Sequence, residues 1–240
     1  MPRPPELSPA ATSIKGSVYS SVLHRLASYH GEVYPLNVGD TWLEPADGCR
    51  MEDLTVASQP GMHRYAPPQG LPPLVDAVVE RLRARTGVPL ERPNVFVAGG
   101  ATSGLACVVG AIVAPGDEVL LLAPHWPLIE GHVRMAGGVP VDVPFFGVAE
   151  SPESAAAAVE AALSPRAVAL YVNPPSNPTG RVVPRAWLEA LVDLARRRGL
   201  WLVFDEVYVD YVWRGEHVPG IALAPERSFA VHSFSKAYGM

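Results

Sequence analysis

The chain has 240 residues, 48% of them apolar and 18% charged, with a mean hydropathy of +0.14; that suffices for one sizeable core and a minor second domain. A formal net charge of -5 and a pI near 5.8 leave no basic face, which argues against nucleic acid and an anionic membrane surface as partners. Two cysteines, Cys49 and Cys107, are too few for a disulfide framework, and neither they nor the seven scattered histidines have metal-ligand spacing, so no metal is expected.

Residues 1–13 are rich in Pro, Ser and Ala and read as a flexible arm. The start, Met1-Pro2-Arg3-Pro4-Pro5, has no apolar signal region, and a soluble, cytoplasmic protein is expected. The spacing of Val18, Val22, Leu23 and Leu26 predicts a helix over 14–29, ended by Gly31. Leu36-Asn37-Val38-Gly39-Asp40 reads as a short extended piece turning at Gly39, 45–48 as a turn, and 51–58 as a short helix stopped by Pro60-Gly61. A polar and aromatic loop over 62–70 holds Tyr65 and leads to an amphipathic helix over 74–85 that Gly87 closes.

From there strand and helix alternate. Strands are predicted at 95–98, 119–123, 139–143, 168–172, 200–204 and 229–232. Helices are predicted at 102–113, 128–135, 152–163 and 184–198, the last capped by Gly199. The apolar run 105–114 is too short to span a bilayer and reads as a buried helix, with Cys107 in its core pattern. Arg196-Arg197-Arg198 reads as the cationic end of a helix, favoured by the helix dipole. Strands that are apolar throughout and joined by helical crossovers define an α/β fold: a mostly parallel sheet with helices on both faces.

In such sheets ligands bind beyond the carboxyl ends of the strands. After 95–98 comes Gly99-Gly100-Ala101-Thr102-Ser103-Gly104, a small-residue helix start whose N–H groups suit phosphate; a glycine-rich turn alone is weak evidence. After 119–123 comes Pro124-His125-Trp126-Pro127, where Trp126 offers a flat face to a ring or else packs in the core, the latter slightly favoured on this segment alone. His125 suits a surface or supporting role better than acid–base work. After 168–172, the prolines of Asn173-Pro174-Pro175-Ser176-Asn177-Pro178-Thr179-Gly180 hold a loop that presents the Asn177 amide. After 200–204 comes Asp205-Glu206-Val207-Tyr208; an acid at the end of an apolar strand is costly unless paired, and a pyridinium nitrogen would supply the partner. Tyr208 would then donate to the ring's phenolic oxygen. Finally, Ser233-Phe234-Ser235-Lys236 brings a hydroxyl for a phosphate and an amine for a Schiff base with pyridoxal phosphate, the freed amine serving afterwards as base.

From about residue 36 to 240 the chain resembles the class I/II pyridoxal-phosphate-dependent aminotransferases of fold type I, most specifically in Asn177-Pro178-Thr179-Gly180, Asp205-Glu206-Val207-Tyr208 and Ser233-Phe234-Ser235-Lys236. The resemblance implies that Lys236 is the Schiff-base lysine, Asp205 pairs with the pyridine nitrogen, and Asn177 and Tyr208 bond the ring oxygen. It implies that Trp126 stacks on the ring and that Gly100, Ala101, Thr102 and Ser233 hold the phosphate. Tyr65 looks like the family's tyrosine that reaches the phosphate of the neighbouring subunit, which implies a homodimer, and Gly39 like the glycine near the substrate carboxylate. Residues 1–45 then correspond to an arm and part of the small domain, and 46–240 to the large, cofactor-binding domain. The expected activity is transfer of an amino group between an amino acid and a 2-oxo acid.

The helix start Leu71-Pro72-Pro73-Leu74 departs from the family, which more often has an acid and an arginine there. The chain also stops before the arginine that usually follows the lysine by eight positions, and before the rest of the large domain, the C-terminal small domain and the arginine that grips the substrate carboxylate. It therefore reads as incomplete at its C-terminus and as a poor catalyst by itself. A carbon–sulfur β-lyase on the same site and a non-catalytic fold relative are the alternatives; a transcriptional regulator would need a DNA-binding module that residues 1–40 are too short and insufficiently basic to form.

Overall fold

Five apolar strands carry the architecture in the computed structural model, which describes residues 6–14, 20–34, 39, 41 and 43–240. They are β1 (Glu118–Ala123), β2 (Val139–Pro144), β3 (Ala167–Val172), β4 (Trp201–Asp205) and β5 (Ser228–Val231), all parallel, in the order β2-β1-β3-β4-β5. Helices α1 (Pro9–Thr12), α2 (Ser20–Ala27) and α3 (Pro72–Thr86) precede the sheet. Then come α4 (Ala101–Ile112), α5 (Leu128–Met135), α6 (Pro152–Ala161), α7 (Arg185–Arg198), α8 (Gly220–Leu223) and α9 (Ser235–Tyr238).

The two-residue period of the strands sends alternate side chains to opposite faces. Leu120, Leu122, Leu170, Val172, Leu202 and Phe204 pack with α6 and α7 on one face. Val119, Leu121, Ala169, Tyr171, Val203 and Val231 pack with α4 and α5 on the other. Each fully buried leucine contributes about 1.5–3 kcal/mol relative to exposure, so a doubly covered sheet is the economical use of strands this apolar.

The helix ends follow local chemistry. Prolines in its first turn let α3 start earlier than the apolar spacing alone implies, and Gly87 ends it at φ +70°. Gly199 caps α7 in the same left-handed conformation, after Arg196, Arg197 and Arg198 in its last turn. Arg196 also pairs with Glu226 at 3.0 Å, and Arg198 with Glu160.

Several expectations are corrected. Segment 95–98 is extended but forms no sheet strand: its backbone is engaged by the Gln69 loop, Val97 N–H donating to Gln69 O at 2.9 Å and the Gln69 amide to Val95 O at 2.8 Å. Cys107 is exposed, and the 105–114 run is only half buried: α4 buries Leu105 and Val109, one turn apart, while Ala106, Cys107, Gly110 and Ala111 face outward. Residues 51–58 form only a 3₁₀ turn at Met51–Asp53; the Asp53 carboxylate accepts from Gly48 N–H at 2.9 Å, and Thr55 and Ser58 bond each other and the backbone, competing with helix. The arm contains the helical turn α1, capped by Ser8, and a Cβ on Gly131 of α5 would lie 3.7 Å from the Ile14 side chain. Of the helix expected over 14–29, Ser20–Ala27 is helical and residues 14, 28 and 29 are not; residues 15–19, Val18 among them, lie outside the described residues, as do residues 1–5, Leu36, Asn37, Val38 and Asp40. Among the described residues, no helix is long and apolar enough to cross a membrane.

Candidate active site

The chain leaves β1 for β2 on one side and returns to β3 on the other, so the connections diverge at the carboxyl ends of β1 and β3. Trp126 and Asn177 lie in the loops after β1 and β3, Asp205 ends β4 with Tyr208 just beyond it, and Ser233 and Lys236 follow β5.

Asp205 ends β4 and is 3% exposed. The Tyr171 hydroxyl, from the neighbouring β3, donates to its Oδ2 at 2.6 Å, while Oδ1 is buried with no hydrogen-bond partner. Burial pushes the Asp205 carboxyl up to about 6; donation from Tyr171 and from the Val207 backbone opposes this, and the Glu206 charge adds to it. The Tyr171 phenol is raised well above its ordinary value, by burial first and then by the Asp205 charge.

Asn173 joins this strand end to the proline loop. Its Nδ2–H donates to Asp205 O at 2.7 Å, and its Oδ1 accepts from Asn177 N–H at 2.8 Å. The loop closes on itself through Gly180 N–H to Ser176 O at 2.7 Å and Ser176 N–H to Arg181 O at 2.9 Å. The Asn177 backbone is thereby tied, through Asn173, to the end of β4.

Lys236 lies on α9, five residues beyond Val231, which is paired with Asp205 in the sheet. Its Nζ donates to Gly39 O, and its own carbonyl accepts from the Tyr211 hydroxyl. A Cβ on Gly39 would stand 3.4 Å from the Tyr208 hydroxyl oxygen, so Gly39, Tyr208 and Lys236 share one place. Thr41 Oγ1 donates to Ser235 O at 2.9 Å and secures the segment that lies over the lysine. Ser233 Oγ accepts from Ser235 N–H at 3.0 Å, which leaves its O–H to donate elsewhere.

α4 starts at Gly100, whose φ of +90° and ψ of 168° suit glycine alone. No side chain caps this end, and a Cβ on Gly100 would meet nothing within 4 Å. The N–H groups of Ala101 and Thr102 thus open a helix that no side chain caps, an arrangement whose positive end suits an anion. Trp126 is partly buried against the α4–α5 cluster, with its ring centroid 6.0 Å from that of His132. His125, expected as a surface or supporting residue, is not at the surface: its side chain is 7% exposed, and Nε2 lies 2.9 Å from Asp142 Oδ1. His125, Glu130 and Asp142 bring ligand atoms within 4.8 Å of one another, but Glu130 also pairs with Arg134 at 3.1 Å, and the group reads as an ion-pair cluster. Tyr65 is fully exposed.

The roles of Tyr171 and Asn173, and of a buried group behind Asp205, carry no signal in the local sequence. Glu206 points to the opposite face, accepts from Gly220 N–H at 2.7 Å, and has His217 Nε2 and His232 Nε2 each at 3.5 Å. Burial lowers the His232 pKa, with Glu206 opposing the shift.

Beyond the strand ends and at the start of α4 the chain thus carries an uncapped helix start, a buried carboxylate with one unpartnered oxygen, an aromatic residue, and an amine close to a tyrosine. A planar phosphorylated ring with a protonatable nitrogen fits that donor set.

The family model for "Aminotransferase class I and II" matches residues 32–240. The probable aspartate/prephenate aminotransferase of Thermus aquaticus is 40% identical over 183 residues, covering 75% of this chain and 47% of that protein. The arginine–pyruvate transaminase of Pseudomonas aeruginosa is 35% identical over 217 residues, covering 87% of this chain and 53% of that one. A solved single mutant of Thermus thermophilus aspartate aminotransferase superposes with a TM-score of 0.87 at 32% identity, covering 98% of this chain and 62% of that chain. The chain spans about half the length of the curated relatives it matches.

Proposed function

Because the chain belongs to the class I and II aminotransferase family, whose members use pyridoxal phosphate, we propose that it holds this cofactor and serves transfer of an amino group from an amino acid to a 2-oxo acid. The observation that carries the reading is the buried Asp205 carboxylate, one oxygen engaged by Tyr171 and the other unpartnered. A buried polar atom without a partner is costly, and the ring N–H of the cofactor would supply what Oδ1 lacks.

In this reading Gly100, Ala101, Thr102 and Ser233 hold the phosphate, Trp126 covers one ring face, and Asn177 and Tyr208 donate to the phenolic oxygen. Bound there, pyridoxal phosphate supplies an aldehyde that captures primary amines and a ring that draws electrons from the bonds beside the captured nitrogen. Asp205 keeps the ring nitrogen protonated. Lys236 provides the amine that anchors the cofactor and, once released, the base that moves the proton at the substrate Cα. Gly39 would stand near the substrate carboxylate, a reading supported by its carbonyl accepting from Lys236 Nζ.

Residues 1–45 belong to an arm and small domain and 46–240 to the large domain; Thr41 crossing to Ser235 accords with the first segment covering the site. The active assembly is a homodimer, with Tyr65 reaching the partner's phosphate site. Its full exposure and the outward apolar face of α4 support that. Free thiols at Cys49 and Cys107 accord with the cytoplasm. The relatives' names make aspartate the first donor to try.

Equilibrium dialysis against pyridoxal phosphate tests the reading: the chain retains the cofactor and Asp205→Ala does not. Equal retention by both contradicts it. The reaction class is read from ¹⁵N-aspartate and an added 2-oxo acid. A new ¹⁵N-amino acid marks transfer, whereas pyruvate and ammonia released from a cysteine conjugate would mark a β-lyase.

A further inference from the structure

We propose that Tyr171 is a positioning residue for the ring nitrogen of the cofactor, acting through Asp205; this rests on the cofactor reading above. β3 and β4 pair with Tyr171 opposite Val203, and Asp205 stands two residues beyond Val203, so both side chains emerge on the α4–α5 face. The hydroxyl donates to Asp205 Oδ2 at 2.6 Å. That bond occupies one oxygen, fixes the rotation of the carboxylate, and leaves Oδ1 as the one acceptor to be matched by a ring N–H. It also stabilises the charged form of Asp205 against burial, and only the charged form can hold a protonated ring nitrogen.

A tyrosine that only fills the core would need none of this. Tyr171 is 1% exposed and packs with Leu121, Ala169, Val203 and Val231, a place a phenylalanine would fill equally well. The hydroxyl is the part that the packing does not require. The groups bearing on Asp205 are the Tyr171 hydroxyl, the Val207 backbone N–H and the Glu206 carboxylate, which lies on the other face of the sheet. Of the two donors, only Tyr171 can be removed by a side-chain change.

The test is Tyr171→Phe in the full chain, with two readouts. The first is the Asp205 midpoint without cofactor, followed by ¹³C NMR of chain labelled at the aspartate carboxyl and assigned with Asp205→Asn. Losing a hydrogen bond to a charged group moves the midpoint up by about one pH unit, from about 6 toward 7, so the ionised fraction at neutral pH falls from roughly nine in ten to about half. The second is pyridoxal phosphate affinity against pH, whose acid limb moves up in parallel. A 3-fluorotyrosine placed at position 171 keeps the fold, donates more strongly, and moves both limbs down. An unmoved midpoint in both variants overturns the proposal. If Asp205→Ala binds the cofactor as tightly as the unaltered chain, the cofactor reading falls and the proposal with it. If Asp205→Ala loses the cofactor while neither Tyr171 variant shifts the affinity profile, the proposal alone falls.

Discussion

Replacing Asp205 by asparagine should stabilise the cofactor-free chain. The folded protein holds the Asp205 proton up to about 6, against an ordinary value of 3.8. Between those values the folded chain keeps a proton that the unfolded chain has released, so raising the pH favours unfolding, and the loss is complete above the higher value. At 1.36 kcal/mol per pKa unit, the gap corresponds to about 3 kcal/mol at neutral pH and above. Asparagine has the same shape, can still accept from Tyr171 through its carbonyl oxygen, and carries no charge to bury. Urea unfolding of both chains without cofactor, from about pH 4 to pH 8, reads the difference directly, because other carboxylates titrate equally in the two proteins. The difference should be near zero at pH 4, open between pH 4 and 6, and stay at about 3 kcal/mol up to pH 8. Saturating pyridoxal phosphate should stabilise the unaltered chain and leave the variant behind. Equal stability at pH 8, or a variant less stable than the parent, would refute the claim that Asp205 is an uncompensated buried acid awaiting a cationic partner.

Gly220→Ala should lower Tm, because a Cβ there would lie 2.3 Å from the buried Phe204 ring; overpacking of this kind costs about 1–3 kcal/mol, and an unchanged melt would contradict the packing described. Gly100→Ala strains a φ of +90° without touching a neighbour, so it should destabilise by about 1–3 kcal/mol and weaken pyridoxal phosphate binding; tight binding by that variant would argue against the phosphate cradle. Cys107 faces outward on α4, so a thiol reagent should modify it readily in dilute protein and slowly as a dimer forms; a rate independent of protein concentration would remove this face from the interface.

Much of the sheet was legible because its strands are apolar on both faces: β1, β3 and β4 each lie within one residue of where composition alone puts them. The motif residues were legible as well, since strand ends in a parallel sheet are where ligands bind. Partnerships across strands were not. Tyr171 reads as one more apolar-strand residue until the register sets it beside Asp205. Glu206 and His217 are 11 positions apart, and only the fold of the loop over 207–216 brings them together. Segment 95–98 has strand composition, but pairing depends on a neighbour that local sequence does not reveal, and the Gln69 loop takes its backbone instead. Cys107 was misplaced because α4 is apolar all round, so composition gives no sign of which side meets the sheet.

Whether Lys236 is the cofactor lysine can be tested cleanly in this chain, whose lysines are Lys15 and Lys236 alone. Pyridoxal phosphate is added, excess is dialysed away, borohydride fixes whatever amine has condensed with the aldehyde, and the peptides are mapped by mass spectrometry. One label per chain is expected, on Lys236, lost in Lys236→Ala and strongly reduced in Asp205→Ala. Label on Lys15 or the N-terminal amine, with Lys236 unmodified, would contradict it.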